Sequence, residues 1–167
     1  MLFLCAVLLG VNPGDLMLTR NAQDNQAPGW WNHSAIYIGD GQVIEAQMGQ
    51  GVIVTPLKTF LDRYPYILVL RPRGACHCRL AAMLHYARRS IGKPYDVYAS
   101  TRFWLFDLRC GDNCVSLVRD CYQRAYGYDP CWKIPDDLAC DRRLVPVDAK
   151  GLARWSSRDD RNLGQKK

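Results

Sequence analysis

The stretch "WNHSAIYIGDGQVIEA", residues 31–46, reads as two short β-strands joined through Gly39, Asp40 and Gly41. Two registers are open to it. A two-residue loop on Asp40-Gly41 would set Ile36 opposite Glu45, an aliphatic side chain against a carboxylate. A three-residue loop, with a glycine free to take left-handed backbone angles, instead pairs Ile36 with Ile44 and Ala35 with Glu45. The second register keeps like with like and is the one adopted. It gathers His33, Ala35, Tyr37, Val43, Glu45 and Gln47 on one face, with Glu45 diagonal to His33 and within reach of it. Such a pair either caps a sheet edge in solvent or serves chemistry, and the hairpin alone does not decide between them.

Outward from the hairpin, the first half of the chain is strand-like. "GDLMLTR" (14–20), "GVIVTP" (51–56) and "YILVLRP" (66–72) are apolar or β-branched runs punctuated by Gly, Asp and Pro, as in a small antiparallel sheet. After "RPRG" the period changes. Leu80, Met83, Leu84, Ala87 and Ile91 fall on one helical face, predicting a helix over 75–91 that "GKP" ends. Cys114, Leu117, Val118, Cys121, Tyr122 and Ala125 repeat that spacing and predict a second helix over 114–126, stopped by "YGYDP". Strands first and helices after, with no repeat and no linker, define an α+β fold in one domain, residues 1–150. Residues 151–167 read as a basic, solvated tail.

Composition sets the outer bounds. The chain has 167 residues, 49% of them hydrophobic, enough for one sizeable core. A net charge of +6 favours anionic surroundings, but the basic residues are not interleaved with stacking aromatics, so no nucleic-acid partner is expected. "MLFLCAVLLG" (1–10) is too short to span a membrane and lacks the basic n-region and cleavage site of a signal peptide, so it is expected to be retained. Among eight cysteines, "ACHCR" (75–79) has the wrong spacing for a zinc pair and no second pair follows it. No metal site is expected there, and its residues read as part of the helix.

"CGDNCVSLV" (110–118) carries the stronger chemical signal. Asp112 or Asn113 is a good N-cap, which puts Cys114 in the first helical turn, where unpaired N–H groups and the helix dipole stabilise a thiolate. An imidazole nearby would lower the thiol pKa further and shuttle the proton, and a carboxylate would orient the imidazole. Cys114, His33 and Glu45 are thus the parts of an activated thiol nucleophile. A half-buried structural cysteine fits the same pattern, since Cys114 shares its face with Leu117 and Val118.

Taken in order, "PGDLMLTR", "WNHSAIYIGDGQVIEA", "IGKPYDVYAS", "NCVSLVRDCY" and "IPDDLACDRRLVPV" resemble the YiiX-like group of circularly permuted papain-fold proteins. These are relatives of the NlpC-type cell-wall peptidases and of lecithin:retinol acyltransferase. The likeness spans residues 11–148. It rests on a His opening a strand, an acidic residue twelve positions later and a Cys heading a late helix, the reverse of the usual papain order. The resemblance implies a permuted papain-like fold with an antiparallel sheet and packed helices. It makes Cys114 the nucleophile, His33 the base and Glu45 the orienting residue, and it places Tyr95 near the site as an oxyanion or substrate-positioning group. One departure stands out: relatives often have Cys-Ser-Glu-Leu where this chain has Cys114-Val115-Ser116-Leu117.

The function that follows is amide hydrolysis by acyl transfer. His33 deprotonates Cys114, the thiolate attacks the carbonyl, and the Cys114 N–H with a second donor holds the oxyanion. No metal or organic cofactor is called for. The resemblance makes a peptidoglycan peptide the leading substrate and favours the cell envelope or an extracellular site over the cytoplasm. A lipid thioesterase or acyltransferase of the same fold is one alternative. A non-catalytic domain with Cys114 in a disulfide to Cys110 or Cys121 is another. Glu45→Gln is expected to be milder than loss of His33, and Gln47 is the fallback should Glu45 face away.

Overall fold

A computed structural model describes residues 10–21, 29–96 and 112–152. Six strands run in chain order: β1 (Leu16–Arg20), β2 (His33–Gly39), β3 (Gln42–Gln47), β4 (Gly51–Pro56), β5 (Tyr66–Pro72) and β6 (Leu144–Lys150). They form one sheet in the order β4-β3-β2-β1-β5-β6, every neighbouring pair antiparallel. The helices are α1 (Leu57–Arg63), α2 (His77–Ser90), α3 (Cys114–Tyr126) and the single turn α4 (Pro135–Ala139).

Strand alternation sends side chains to two faces, and both are covered. Leu16, Leu18, Ile36, Ile44, Leu68 and Leu70 pack beneath α2 and α3 with Met83, Leu117, Val118 and Tyr122. Met17, Ala35, Val43, Ile67 and Val69 pack on the other side with Phe60 and Leu61 of α1 and with Tyr64. Covering both faces removes the need for polar alternation, which is why β1 and β5 read as nearly continuous apolar runs. The helices run antiparallel. Lys93, three residues past α2, bonds Asp112, two residues before α3, and Arg79 near the start of α2 lies over the ring of Tyr126 at the end of α3.

The hairpin takes the expected register, Ala35 opposite Glu45, Ile36 opposite Ile44 and Tyr37 opposite Val43. Its turn differs from the three-residue loop expected. The register shifts between Tyr37 and Gly39, so that Gly39 pairs with Gln42 and only Asp40-Gly41 turn the corner. Both turn residues have positive φ, 52° and 66°, the backbone of a tight hairpin whose twist matches the strands. The bulge at Ile38 absorbs the odd residue, reconciling a two-residue turn with the register that pairs Ile36 with Ile44.

The helix expected over 75–91 spans His77–Ser90, and the one expected over 114–126 has those limits. Three elements were not anticipated, the single turn α4 among them. Helix α1 is two turns long with Phe60 and Leu61 buried, too short for a periodic signal. Strand β6 carries Pro146 and an Asp, which mute its β character. Pro146 is tolerated because β6 lies at the sheet's edge. Among the described residues no helix is long and apolar enough to cross a membrane.

Candidate active site

Helix α3 begins where its sequence says it should. Of the two caps considered, Asn113 is the one used: its side chain accepts from Ser116 N at 2.8 Å, and Ser116 Oγ accepts from Asn113 N at 2.8 Å. This reciprocal box fixes the first turn and sets Cys114 at its head. The same Ser116 is one of the residues in which the chain departs from Cys-Ser-Glu-Leu, so the departure supplies the capping partner. Asp112 turns the other way, to Lys93 Nζ at 3.0 Å.

The opening of β2 meets that helix end. Ser34 Oγ donates to the Cys114 carbonyl at 2.9 Å. Its neighbour His33, pointing to the opposite face by alternation, is the strand's first residue, so no further strand residue separates the two faces there. His33 Nε2 lies 2.8 Å from Glu45 Oε2, and the imidazole is near enough to the Cys114 thiol for each to shift the other's titration, with Nδ1 the nitrogen left to face sulfur. The three residues singled out in the sequence therefore form one chain of contacts, Cys114 to His33 to Glu45, with Cys114 only 8% exposed and Glu45 fully buried.

Groups not anticipated complete the arrangement. Thr55 Oγ1 donates to Glu45 Oε1 at 2.5 Å and Arg63 Nη1 donates to the same oxygen at 2.9 Å. Glu45 thus devotes one oxygen to His33 and the other to two donors. Tyr64 stacks on the His33 ring, centroids 5.7 Å apart and planes 22° apart, with Phe60 at 6.4 Å. A signal for Thr55 existed in the alternation of "GVIVTP", which puts a lone hydroxyl on the inward face near Glu45. None existed for Arg63 or Tyr64, which arrive from an unrecognised helix.

Electrostatics follow from this packing. Burial opposes a charged imidazole, but hydrogen bonds to Cys114 and Glu45 and their negative charges outweigh it and raise His33 to about 9. Burial likewise opposes a thiolate at Cys114, yet the His33 hydrogen bond and charge, with help from Ser34, lower its pKa below the ordinary thiol value. Glu45 is lowered despite burial, held by His33, Thr55 and Arg63. The pair therefore favours thiolate and imidazolium. By contrast, burial pushes the Cys121 thiol far up, leaving it inert. Cys114 and Cys121 are both free thiols, while Cys110 lies outside the described residues.

Tyr95 reaches the site through its backbone. It bridges Asp112, two residues before Cys114, in a segment stitched to β4 by Val52 N donating to Lys93 O at 2.9 Å. Its ring is partly buried against the core beneath α2 and α3. Gln47, the fallback for Glu45, accepts from Gln50 Nε2 at 2.8 Å. Among the described residues no cluster of three or more His, Cys, Asp or Glu side chains is arranged to hold a metal.

A sheet carrying a partly buried His-carboxylate pair to a thiol at a helix head is the architecture of the papain-like cysteine hydrolases, here with the thiol helix late in the chain. The chain belongs to the permuted papain-like amidase enzymes, YaeF/YiiX, of the C92 family, whose pattern it matches over residues 10–130. It is 27% identical over 144 residues to the gamma-DL-glutamyl hydrolase of Bacillus subtilis (strain 168), covering 84% of this chain and 32% of that protein, so the chain spans about a third of that relative's length. Its fold resembles the crystal structure of yiiX from Escherichia coli O157:H7, described as a metalloprotein, with a TM-score of 0.64 and 17% identity over 81% of this chain and 96% of that one.

Proposed function

We propose that the protein hydrolyses an amide bond through a Cys114-His33-Glu45 triad, with a peptidoglycan peptide or a related amide as substrate. The observation that carries this reading is the succession of a free thiol at a helix head, a half-buried imidazole that shifts its titration, and a buried carboxylate 2.8 Å from that imidazole.

Each group has a step. The Cys114 thiolate attacks the scissile carbonyl, and the tetrahedral oxyanion is met by the Cys114 backbone N–H, one of the unpaired donors of the first turn of α3, and by a second donor, for which Tyr95 is the candidate. The His33 imidazolium gives its proton to the leaving amine, and the acyl group stays on sulfur. Neutral His33 then takes a proton from water, which releases the acid and restores the pair. Glu45 holds the ring with Nδ1 toward sulfur and stabilises its charge, while Thr55 and Arg63 hold Glu45. The activity in the name of the B. subtilis relative makes a γ-glutamyl bond the amide to test first.

The test is incubation of the full chain with γ-glutamyl peptides, peptidoglycan fragments and acyl-lipid esters, with products identified by mass spectrometry. Cleavage of an amide by the wild type, abolished in both Cys114→Ala and His33→Ala with the fold intact by circular dichroism, is the expected outcome. Turnover that survives Cys114→Ala would remove the triad from the reaction, and cleavage of esters alone would replace the substrate class.

A further inference from the structure

The motif "ACHCR", left aside by the hydrolase chemistry, sits at the start of α2. Cys76 is the residue that precedes the helix and Cys78 is the second residue within it. Both are exposed free thiols, and their Sγ atoms are 2.7 Å apart. Two side chains so placed need no backbone rearrangement to meet, and among the described residues both are exposed to solvent. They are also remote from Cys114. Arg79, next to Cys78, lies over Tyr126 at the far end of α3. With 13 residues in α3, the two thiol centres stand roughly 20 Å apart along that helix.

We propose that Cys76 and Cys78 form a reversible dithiol–disulfide couple that exchanges with low-molecular-weight disulfides, a second thiol chemistry independent of the one at Cys114. The asymmetry of the pair assigns the roles. A hydrogen bond from Cys78, then the N–H groups of the opening helical turn and the Arg79 guanidinium, favour a thiolate on Cys76, whereas the Cys78 thiol is pushed up by its neighbour. Cys76 is the attacking sulfur and Cys78 the resolving one.

The steps balance. The Cys76 thiolate attacks one sulfur of a disulfide RSSR, forming a Cys76–S–S–R mixed disulfide and expelling RS⁻. Cys78 loses its proton and attacks the Cys76 sulfur of that mixed disulfide, forming the Cys76–Cys78 bond and expelling the second RS⁻. Two protein thiols are oxidised and one RSSR is reduced to two RSH. Excess RSH reverses both steps.

Trypsin isolates the pair cleanly, because cleavage after Arg73 and Arg79 releases Gly74–Arg79 with both cysteines and no others. The full chain is equilibrated with glutathione disulfide and reduced glutathione in varied ratio, quenched in acid and mapped by mass spectrometry. The expected wild-type result is a 74–79 peptide lighter by two hydrogens and carrying no glutathione, restored by excess reduced glutathione. Cys78→Ser should trap glutathione on Cys76, and Cys76→Ser should abolish the internal bond. Circular dichroism checks that both variants keep their helices. A wild-type 74–79 peptide that stays reduced while other cysteines react would overturn the proposal. So would one that retains glutathione without closing.

Discussion

Glu45 shows how a single carboxylate constrains the whole site. Its Oε1 receives Thr55 and Arg63, of which the guanidinium can only donate, so Oε2 is left to face His33. From sequence, Glu45→Gln looks mild, since an amide retains an acceptor. The geometry argues for a larger effect. A glutamine would turn its oxygen to the two donors and its NH2 to His33 Nε2, forcing the neutral ring to carry its proton on Nδ1, the nitrogen that must accept from sulfur. Activity should therefore fall on the order of 10³-fold or more, as for the corresponding Asp→Asn change in serine-protease triads. A loss of only severalfold in kcat/KM would show that the amide keeps its oxygen on His33. The wild-type pH profile should be a bell. Its acid limb is protonation of a thiolate whose pKa is lowered, and its alkaline limb, near pH 9, is loss of the imidazolium proton. At this scale the three residues of the proposed triad stood out in the sequence because each is a chemically uncommon choice at its position. Their neighbours Arg63 and Tyr64 did not, because nothing local marks an arginine as reaching Glu45 or a tyrosine as stacking on His33.

At the scale of the element, the site depends on where α3 starts. The capping box of Asn113 and Ser116 fixes the first turn, and the Ser34 hydroxyl ties the Cys114 carbonyl to β2. Asn113→Ala removes one side of the box and should cost about 1 kcal/mol in urea unfolding. It should also lower kcat more than it raises KM, because fraying the first turn loosens the thiolate and the oxyanion N–H together. Unchanged kinetics alongside the lost stability would mean that Ser34 alone holds Cys114 in place. Hairpin register and both long helices could be read in advance because apolar spacing constrains them over many residues. The turn could not, because the Ile38 bulge is a choice between two backbones with the same side-chain pairing.

For the molecule as a whole, the last strand ties the sheet to the base's surroundings. β6 covers the edge of β5, buries Leu144, and ends with Lys150, whose ammonium donates to the carbonyls of Leu61 and Tyr64, the second at 3.1 Å. Those carbonyls belong to the end of α1 and to the tyrosine that stacks on His33. A chain ending at residue 143 loses burial of Leu144, by itself about 1.5–3 kcal/mol. It also leaves β5 as an exposed apolar edge open to pairing with other chains. Set against a typical stability of about 5–15 kcal/mol, that truncation should lower the unfolding midpoint sharply and promote aggregation. A chain ending at residue 152 keeps β6 and Lys150 and removes only the basic segment read from sequence as a tail. It should match the full chain in urea midpoint and in kcat/KM on an uncharged amide. If the shorter of these chains proved as stable as the longer, β6 would be an ornament of the sheet. If the chain ending at 152 lost activity, residues 153–167 would have to be counted as part of the functional domain.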